Sequence, residues 1–290
     1  MRSYIPAYEM KTPGTLDEAL DILGNEAGVW QPFAGGTDLM VILESGRLAH
    51  RQYLNIWNLD ELRGVDVTDQ QVSLGALTTY SEIQSHPVLK EEFPMLCQAA
   101  SETGGLAIQN RGTLGGNIVN GSPAADSPPA LLAYDAGIEL TSAKGSRRVA
   151  YREFHRDYKK MDLNENELLT RIHLPRNTTN LKHYYRKVGT RRAQAISKVC
   201  MAAVGRLERE QLAEVRIALG SVAPIPLRCL KTEAFVTGQT MNQKTIAAAK
   251  EELAREISPI DDIRSTRNYR LRVSLNLFDQ FLHSLTISTQ

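Results

Sequence analysis

Two glycine-rich segments constrain this chain more than any other feature: PFAGGTD at residues 32–38 and RGTLGGN at residues 111–117. We call them the first and the second glycine element. Neither has the spacing GxGxxG or GxxxxGK[ST], which disfavours a Rossmann dinucleotide site and a Walker NTPase site. Glycine adopts φ > 0 without penalty, so successive backbone N–H groups can converge on an anion in the absence of a cation. Either element alone is typical of a simple turn, but two facing each other predict a clamp for the pyrophosphate of a dinucleotide.

Two charged residues outside the glycine elements are candidates for the same site. Asp126 stands at the entry to a predicted helix, where its carboxylate can cap the helix, accept hydrogen bonds from ribose hydroxyls, or do both. Lys187 lies in the strand-like run HYYRKVG, where a solvated strand charge is an equally good interpretation. Thr113 and Asn117 add side-chain donors to the second glycine element.

The composition bounds the remaining possibilities. A chain of 290 residues exceeds the usual single domain and predicts two. Its 34 basic and 33 acidic residues leave a net charge of +1, which indicates neither nucleic acid nor an anionic membrane as a partner. The three cysteines form no CxxC or iron–sulfur spacing, so we expect free thiols in a reducing, cytoplasmic compartment. No catalytic triad and no metal-binding motif emerges, so we predict neither a catalytic residue nor a metal ligand in this chain.

Hydrophobic periodicity predicts an α+β fold. The first half mixes helices and strands, a run of strands after residue 137 indicates an antiparallel sheet, and the last third is helical. The best linker candidate is PRNTTN at residues 175–180. The predicted strands cover residues 29–34, 52–59, 71–76, 138–141, 147–151, 168–174, 183–188, 197–207 and 214–220. Predicted helices begin near Leu16, Leu39, Thr79, Pro94 and Pro128.

Four motifs together carry a family resemblance. AGGTDLMV, NRGTLGGNIVNGSPAADSPPALLAYDA, NELLTRIHLP and YRKVGTRRAQAISKV follow in order over nearly the whole chain. This series resembles the FAD-binding medium subunit of molybdenum hydroxylases, the xanthine dehydrogenase and carbon monoxide dehydrogenase flavoprotein family. The resemblance implies a PCMH-type (vanillyl-alcohol-oxidase-like) FAD-binding domain at residues 1–176, with lobes of about 1–58 and 59–176. It also implies a small C-terminal domain at residues 181–288, with an antiparallel sheet and helices.

The resemblance also implies a role for individual residues. The first glycine element should meet the pyrophosphate through backbone amides, and the second should grip it from the other side. Asp126 should bind ribose, Leu169 should lie near the isoalloxazine, and Lys187 should reach the flavin from the second domain. Two departures, AIQNR in place of a run closer to QIRNR and Thr103 in place of Phe, bear on the packing of the flavin ring. The implied FAD-binding residues are Pro32, Phe33, Ala34, Gly35, Gly36, Thr37, Asp38, Leu39, Thr113, Gly115, Gly116, Asn117, Asp126, Leu169 and Lys187.

The implied activity is that of an oxidoreductase subunit in electron transfer. No histidine falls in the matched glycine elements, so we expect non-covalent FAD. Three scattered cysteines cannot hold the [4Fe–4S] cluster that some relatives carry. The resemblance implies that the [2Fe–2S] centres and the molybdopterin reside in a small and a large partner subunit, with NAD⁺ or another acceptor receiving the electrons. Two alternatives stay open: a stand-alone FAD-dependent reductase of the same fold and a docking subunit without flavin.

Overall fold

The computed structural model describes residues 7–178, 180–191 and 194–286. The predicted α+β fold class is confirmed, with helices and sheets in both halves of the chain. The strands are β1 Glu9–Lys11, β2 Gln31–Phe33, β3 Gln52–Asn55, β4 Val65–Val67, β5 Gln71–Gly75, β6 Gly137–Ser142, β7 Gly145–Ala150, β8 His155–Asp157, β9 Lys160–Met161, β10 Leu168–Pro175, β11 Lys182–Val188, β12 Val199–Glu208, β13 Gln211–Gly220 and β14 Leu227–Arg228. The helices are α1 Leu16–Asn25, α2 Leu39–Glu44, α3 Tyr80–Ser85, α4 Pro87–Glu92, α5 Pro94–Glu102, α6 Leu106–Gln109, α7 Leu114–Val119, α8 Ser127–Ala133, α9 Tyr151–Phe154, α10 Leu230–Val236, α11 Gln243–Glu256 and α12 Arg267–Thr286.

The N-terminal part contains two sheets, each with its own core. β1, β3 and β2 form a small parallel sheet, and α1 covers it. The Thr15 hydroxyl caps the first turn of α1. A five-stranded antiparallel sheet follows, in the order β4-β5-β10-β6-β7. Strand β10 joins the two, because Leu168 packs into the core of the first sheet and Leu169 into that of the second.

The C-terminal sheet, in the order β11-β12-β13-β14, is buried on both faces. Side chains alternate across a strand, so consecutive residues of β12 enter different cores. Val199 and Met201 pack with α10, α11 and α12, whereas Cys200 and Ala202 join the core that contains α5 and α8. This burial explains why the β12 sequence VCMAAV is continuously apolar. It also packs one face of the C-terminal sheet against the N-terminal part.

Several predicted elements change in detail. The largest error concerns the second glycine element, which is no loop: it begins α7, with Thr113 as the N-cap. Helix α6 was not predicted, and the strand expected over residues 52–59 ends at Asn55. Two glycines inside α7 lower its helix propensity by about 1 kcal/mol each relative to alanine, so tertiary packing must stabilise this helix.

The segment predicted as a linker is anchored where the structure describes it. Arg176 forms an ion pair with Glu92, with 2.6 Å between Nη2 and Oε1, and the Thr178 hydroxyl donates to the Glu92 carbonyl. Thr179 lies outside the described residues, as do positions 192–193 of the fourth family motif and the end of the predicted C-terminal domain after residue 286.

A buried histidine beneath the second sheet should make stability depend on pH. Burial lowers the pKa of the His155 ring from 6.5 to about 4, and Tyr151 contacts its Nε2 at 3.1 Å. The fold therefore favours the neutral ring. The contribution of His155 to the free energy of unfolding is complete above pH 6.5 and is lost as pH falls towards 4. We expect this group to remove about 2 kcal/mol of unfolding free energy between pH 7 and pH 5.

Urea unfolding at a series of pH values measures this effect. His155→Gln should flatten the dependence between pH 7 and pH 5, whereas the matched change at the exposed His283 should leave it as in the wild type. An unchanged slope in His155→Gln would contradict the assignment.

Candidate cofactor-binding site

The two glycine elements meet in the folded chain. A Cβ atom added to Gly35 would lie 1.7 Å from the carbonyl oxygen of Arg111, so only glycine permits this approach. Gly36 has φ +75°, and a Cβ there would lie 2.6 Å from the Phe33 ring. The predicted apposition is thus present, because the backbones of the two glycine elements are in contact. The first element begins in β2 and the second follows α6.

The first glycine element offers unused backbone donors. Among the hydrogen bonds of the described residues, none uses the backbone N–H groups from Gly35 to Leu39. The first N–H of this segment that is used belongs to Met40, which donates to the Gly36 carbonyl at 2.9 Å. The side chain of Asp38, next to α2, makes no capping bond with these amides. A run of free N–H groups beside a glycine turn is a site for an anion, as the pyrophosphate prediction requires.

The other residues of the first element support this turn. Pro32 has no N–H to donate and lies in β2 beside β3. Phe33 contacts Tyr53 edge to face, with 6.2 Å between ring centroids, and its carbonyl accepts from the N–H of Ile56. Ala34 packs against the core of the first sheet. These contacts hold the strand that leads into the free amides.

The second glycine element uses its amides internally, which corrects the expectation that they hold the ligand. The N–H of Gly115 donates to the Ala76 carbonyl at 2.9 Å, and that of Gly116 donates to the Thr113 hydroxyl at 3.1 Å. The Asn117 N–H donates to the Thr113 carbonyl at 3.0 Å. A Cβ on Gly115 would lie 2.7 Å from that of Ala76, so this glycine permits close packing of α7.

Side chains are what the second element leaves available. The Thr113 hydroxyl accepts from Gly116 and still has its own proton to donate. The Asn117 Oδ1 is buried and has no partner among the described residues. A buried polar atom without a partner costs about 1–3 kcal/mol, so a bound ligand that pairs with this amide would recover that energy. The free amides of the first element fit the pyrophosphate of FAD, whereas the Asn117 Oδ1, which can only accept, fits a hydroxyl or N–H donor of the cofactor.

Asp126 and Lys187 form a buried ion pair across the two domains. Their Oδ2 and Nζ atoms are 2.7 Å apart, and the two side chains are 10% and 3% exposed. The Ser197 hydroxyl donates to the other carboxylate oxygen at 2.9 Å, and Lys187 also donates to the Glu102 carbonyl at 2.8 Å. Burial raises the pKa of Asp126, and the adjacent ammonium opposes that shift.

This pairing removes one interpretation of Asp126 and leaves the ribose contact as a prediction. It stands before α8 but makes no capping bond, so the helix-cap interpretation is wrong. The solvated-strand interpretation of Lys187 is also wrong, because its ammonium lies between the domains. Each carboxylate oxygen of Asp126 has a second lone pair, so the pair leaves capacity for a hydroxyl donor.

Leu169 lies in the core of the second sheet rather than on a surface. It is 5% exposed and pairs with Leu140 of β6. The register shifts between Leu169 and Arg171, so a bulge in β10 follows immediately. Because α7 packs on β10, this bulge lies near the second glycine element.

Sequence reasoning missed two groups of residues at the site. Ser197 completes the Asp126 pair, and the Tyr185 hydroxyl donates to the Asp126 carbonyl at 3.2 Å. Both lie in or next to the fourth family motif, but no spacing rule pairs them with a residue so far away in the chain. The second group is a stack of Arg63 and Arg111 on Trp57.

The described residues contain neither a metal-binding cluster nor a membrane-spanning helix. In the described ranges, His, Cys, Asp and Glu side chains form no group of three that could hold a metal ion. None of the helices in this part of the chain combines the length and the apolar character that a membrane span requires.

Comparison with known families matches both halves of the chain. Residues 6–177 match the family described as "FAD binding domain in molybdopterin dehydrogenase", and residues 183–285 match the "CO dehydrogenase flavoprotein C-terminal domain". The xanthine dehydrogenase FAD-binding subunit of Escherichia coli O157:H7 is 33% identical over 263 residues, 89% of each chain. The glyceraldehyde dehydrogenase medium chain of Sulfolobus acidocaldarius is 33% identical over 271 residues, 93% of this chain and 95% of the relative.

Solved structures give the same result for the fold. A chain of carbon monoxide dehydrogenase from Hydrogenophaga pseudoflava superposes with a TM-score of 0.91 at 26% identity, covering 96% of each chain. A chain of quinoline 2-oxidoreductase from Pseudomonas putida 86 superposes with a TM-score of 0.88 at 23% identity, covering 97% and 98%, which supports the fold alone.

The fold and the free amides together define an FAD-binding flavoprotein of two domains. The chain belongs to the FAD-binding subunits of molybdenum hydroxylases, the xanthine dehydrogenase and carbon monoxide dehydrogenase type. The resemblance inferred from the four motifs is thereby confirmed, as are the oxidoreductase class and FAD as the cofactor.

Proposed function

We propose that this chain is the electron-exit subunit of a molybdenum hydroxylase complex. It takes electrons from the [2Fe–2S] centres of a small partner subunit and passes them to NAD⁺, while a large partner subunit holds the molybdopterin and oxidises the substrate. Relatives named as medium chains and FAD-binding subunits support a place in such a complex. Its free cysteines, Cys97, Cys200 and Cys229, support a cytoplasmic location.

The observation that carries the proposal is the run of free N–H groups from Gly35 to Leu39, in contact with the second glycine element. We assign the pyrophosphate to these amides, with Thr113 and Asn117 on the other side. Bound FAD would supply the redox chemistry, since it exchanges electrons singly or as a pair. The residues that form the site by this assignment, with Gly115 and Gly116 contributing through packing and not through their amides, are Pro32, Phe33, Ala34, Gly35, Gly36, Thr37, Asp38, Leu39, Thr113, Gly115, Gly116, Asn117, Asp126, Leu169 and Lys187.

These residues would divide the work of binding. Gly35 and Gly36 let the backbone approach the phosphates, and Gly115 and Gly116 let α7 pack closely behind them. Asp126 would accept a hydrogen bond from a ribose hydroxyl. Lys187 would keep a positive charge near the flavin, and such a charge favours an anionic form of the ring. Leu169 would exclude water from that end of the site.

The same contacts support our division of the chain into domains. We assign the FAD-binding domain to residues 1–176, with lobes of about 1–58 and 59–176, and the C-terminal domain to residues 181–288. The separate cores on the two faces of β12 support the division between the domains, and those on either side of β10 support the division between the lobes.

Purification of the chain with its native partners tests the function. We expect flavin absorbance in the visible spectrum and free FAD in the supernatant after denaturation, because the attachment is non-covalent. Reduction by the substrate of the complex should then be coupled to formation of NADH. Absence of flavin would contradict the FAD assignment, and turnover of a small substrate by the chain alone would favour a stand-alone reductase.

A further inference from the structure

A cation–π stack joins the two lobes beside the glycine elements. The guanidinium carbon of Arg111 lies 3.8 Å from the centroid of the Trp57 ring, and that of Arg63 lies 4.6 Å from it. Trp57 follows β3 in the first lobe, whereas Arg111 opens the second glycine element. The stack therefore connects the small parallel sheet, which leads into the first glycine element, to the first residue of the second glycine element.

The Trp57 ring is the partner of the Arg111 guanidinium. In the described part of the chain, its guanidinium makes no hydrogen bond and no ion pair. Arg63, by contrast, also donates from Nη2 to the backbone carbonyl of Trp57, which holds the segment that carries the indole. A side chain whose contact is a single aromatic face is held by that face. Because Arg111 is exposed and Trp57 half-buried, this cation–π contact contributes roughly 0.5–1 kcal/mol.

The backbone of Arg111 is the point of contact between the elements. Its carbonyl oxygen lies where a Cβ of Gly35 would be, and the next residue, Gly112, is held to the second lobe by its N–H bond to the Ile108 carbonyl at 2.6 Å. The position of Arg111 thus sets the separation between the free amides of the first element and Thr113, two positions further along.

We propose that Trp57 and Arg111 are positioning residues: their stack holds the second glycine element against the first and so sets the width of the pyrophosphate clamp. The inference rests on the proposed placement of the pyrophosphate between the two elements. It assigns the only cation of the second element to an aromatic ring rather than to the phosphates. FAD spans the clamp with its pyrophosphate, whereas FMN ends at its single phosphate, so loss of the stack should weaken FAD binding selectively.

The test measures dissociation constants for FAD and FMN on the deflavinated protein, assembled with its native subunits. For Trp57→Leu, which keeps the charge of Arg111, we expect FAD affinity to fall about fivefold and FMN affinity to change less than about twofold. Trp57→Phe keeps an aromatic face and should bind FAD almost as the wild type does. The double variant Trp57→Leu with Arg111→Gln should lose little more than either single variant, since both changes remove one contact.

Tyr269→Leu is the matched control, because Tyr269 carries the comparable contact with Lys198 at 5.2 Å in the C-terminal domain. It should leave both affinities unchanged. An unaltered FAD affinity in Trp57→Leu with a large loss in Arg111→Gln would overturn the inference, because it would make Arg111 a direct phosphate ligand. Equal losses for FAD and FMN would also overturn it, since they indicate general destabilisation.

Two outcomes separate this inference from the proposed function. If the wild-type complex binds no FAD, the proposed pyrophosphate site is wrong. If the wild type binds FAD but Trp57→Leu shows no selective loss of FAD affinity, only the positioning role is wrong. Should Trp57→Leu fail to fold, Arg111→Gln decides by salt dependence. A loss that persists at high salt supports positioning, and one that vanishes there indicates a direct ionic contact.

Discussion

Replacement of Gly35 by alanine should reduce FAD affinity by about ten- to a hundredfold. The added Cβ would lie 1.7 Å from the Arg111 carbonyl oxygen and 2.7 Å from its carbon, and both are backbone atoms. Backbone cannot swing aside as a flexible side chain can, so the two glycine elements must separate. Overpacking of this kind costs about 1–3 kcal/mol or more, and each 1.4 kcal/mol is a factor of ten in affinity.

The measurement is the FAD content of the purified complex, together with the dissociation constant for added FAD. Gly24→Ala is the matched control. Gly24 lies in helix α1, and a Cβ there would meet only the Cβ of Ala143, at 3.7 Å. It should bind FAD as the wild type does and unfold no more easily, because alanine favours a helix over glycine. Wild-type affinity in Gly35→Ala would contradict the proposed clamp.

Loss of Asp126 should be the most damaging single change between the domains. Asp126→Ala leaves the Lys187 ammonium, whose side chain is 3% exposed, with only the Glu102 carbonyl as a partner. Breaking a buried pair by removing one partner costs about 3–5 kcal/mol, because a buried charge is left uncompensated. We expect that loss in the free energy of unfolding, and a lower FAD content as well if Asp126 holds ribose.

Lys187→Ala should lower FAD content less than Asp126→Ala, because Asp126 then keeps its hydrogen bond from Ser197 and stays available for the proposed ribose contact. Denaturant unfolding and flavin analysis of the two variants give both quantities. Equal FAD content in the two variants and the wild type would argue against the ribose assignment, even if both variants were less stable.

A second ion pair provides the control for burial. The Nζ atom of Lys250 lies 3.0 Å from Oδ1 of Asp279, close to the distance in the Asp126 pair, but these side chains are 31% and 35% exposed. A pair of that exposure contributes about 0–1 kcal/mol. Lys250→Ala should therefore cost far less than Lys187→Ala, and similar losses in the two would show that burial does not govern the effect.

The sequence predicted elements most reliably where the signal was local. The start of α1 at Leu16 and the strand expected over residues 197–207 follow from neighbouring residues, and both are present as α1 and β12. The second glycine element, predicted to be a turn, begins a helix although Gly115 and Gly116 disfavour one. Its helix is stabilised by contacts with Ala76 and Thr78, more than thirty residues earlier, which no local pattern indicates.

The sequence by itself determined where the backbone can come close to a ligand or to another segment, because the absence of a Cβ is a property of each glycine alone. Only the tertiary structure decided which amides stay free. Those of Gly35 to Leu39 remain unused, whereas those of Gly115 and Gly116 are taken by the protein. It also decided the partners of Asp126, since Lys187 and Ser197 stand 61 and 71 residues further along the chain. A hydrogen-bond partner at that separation depends on how the domains pack.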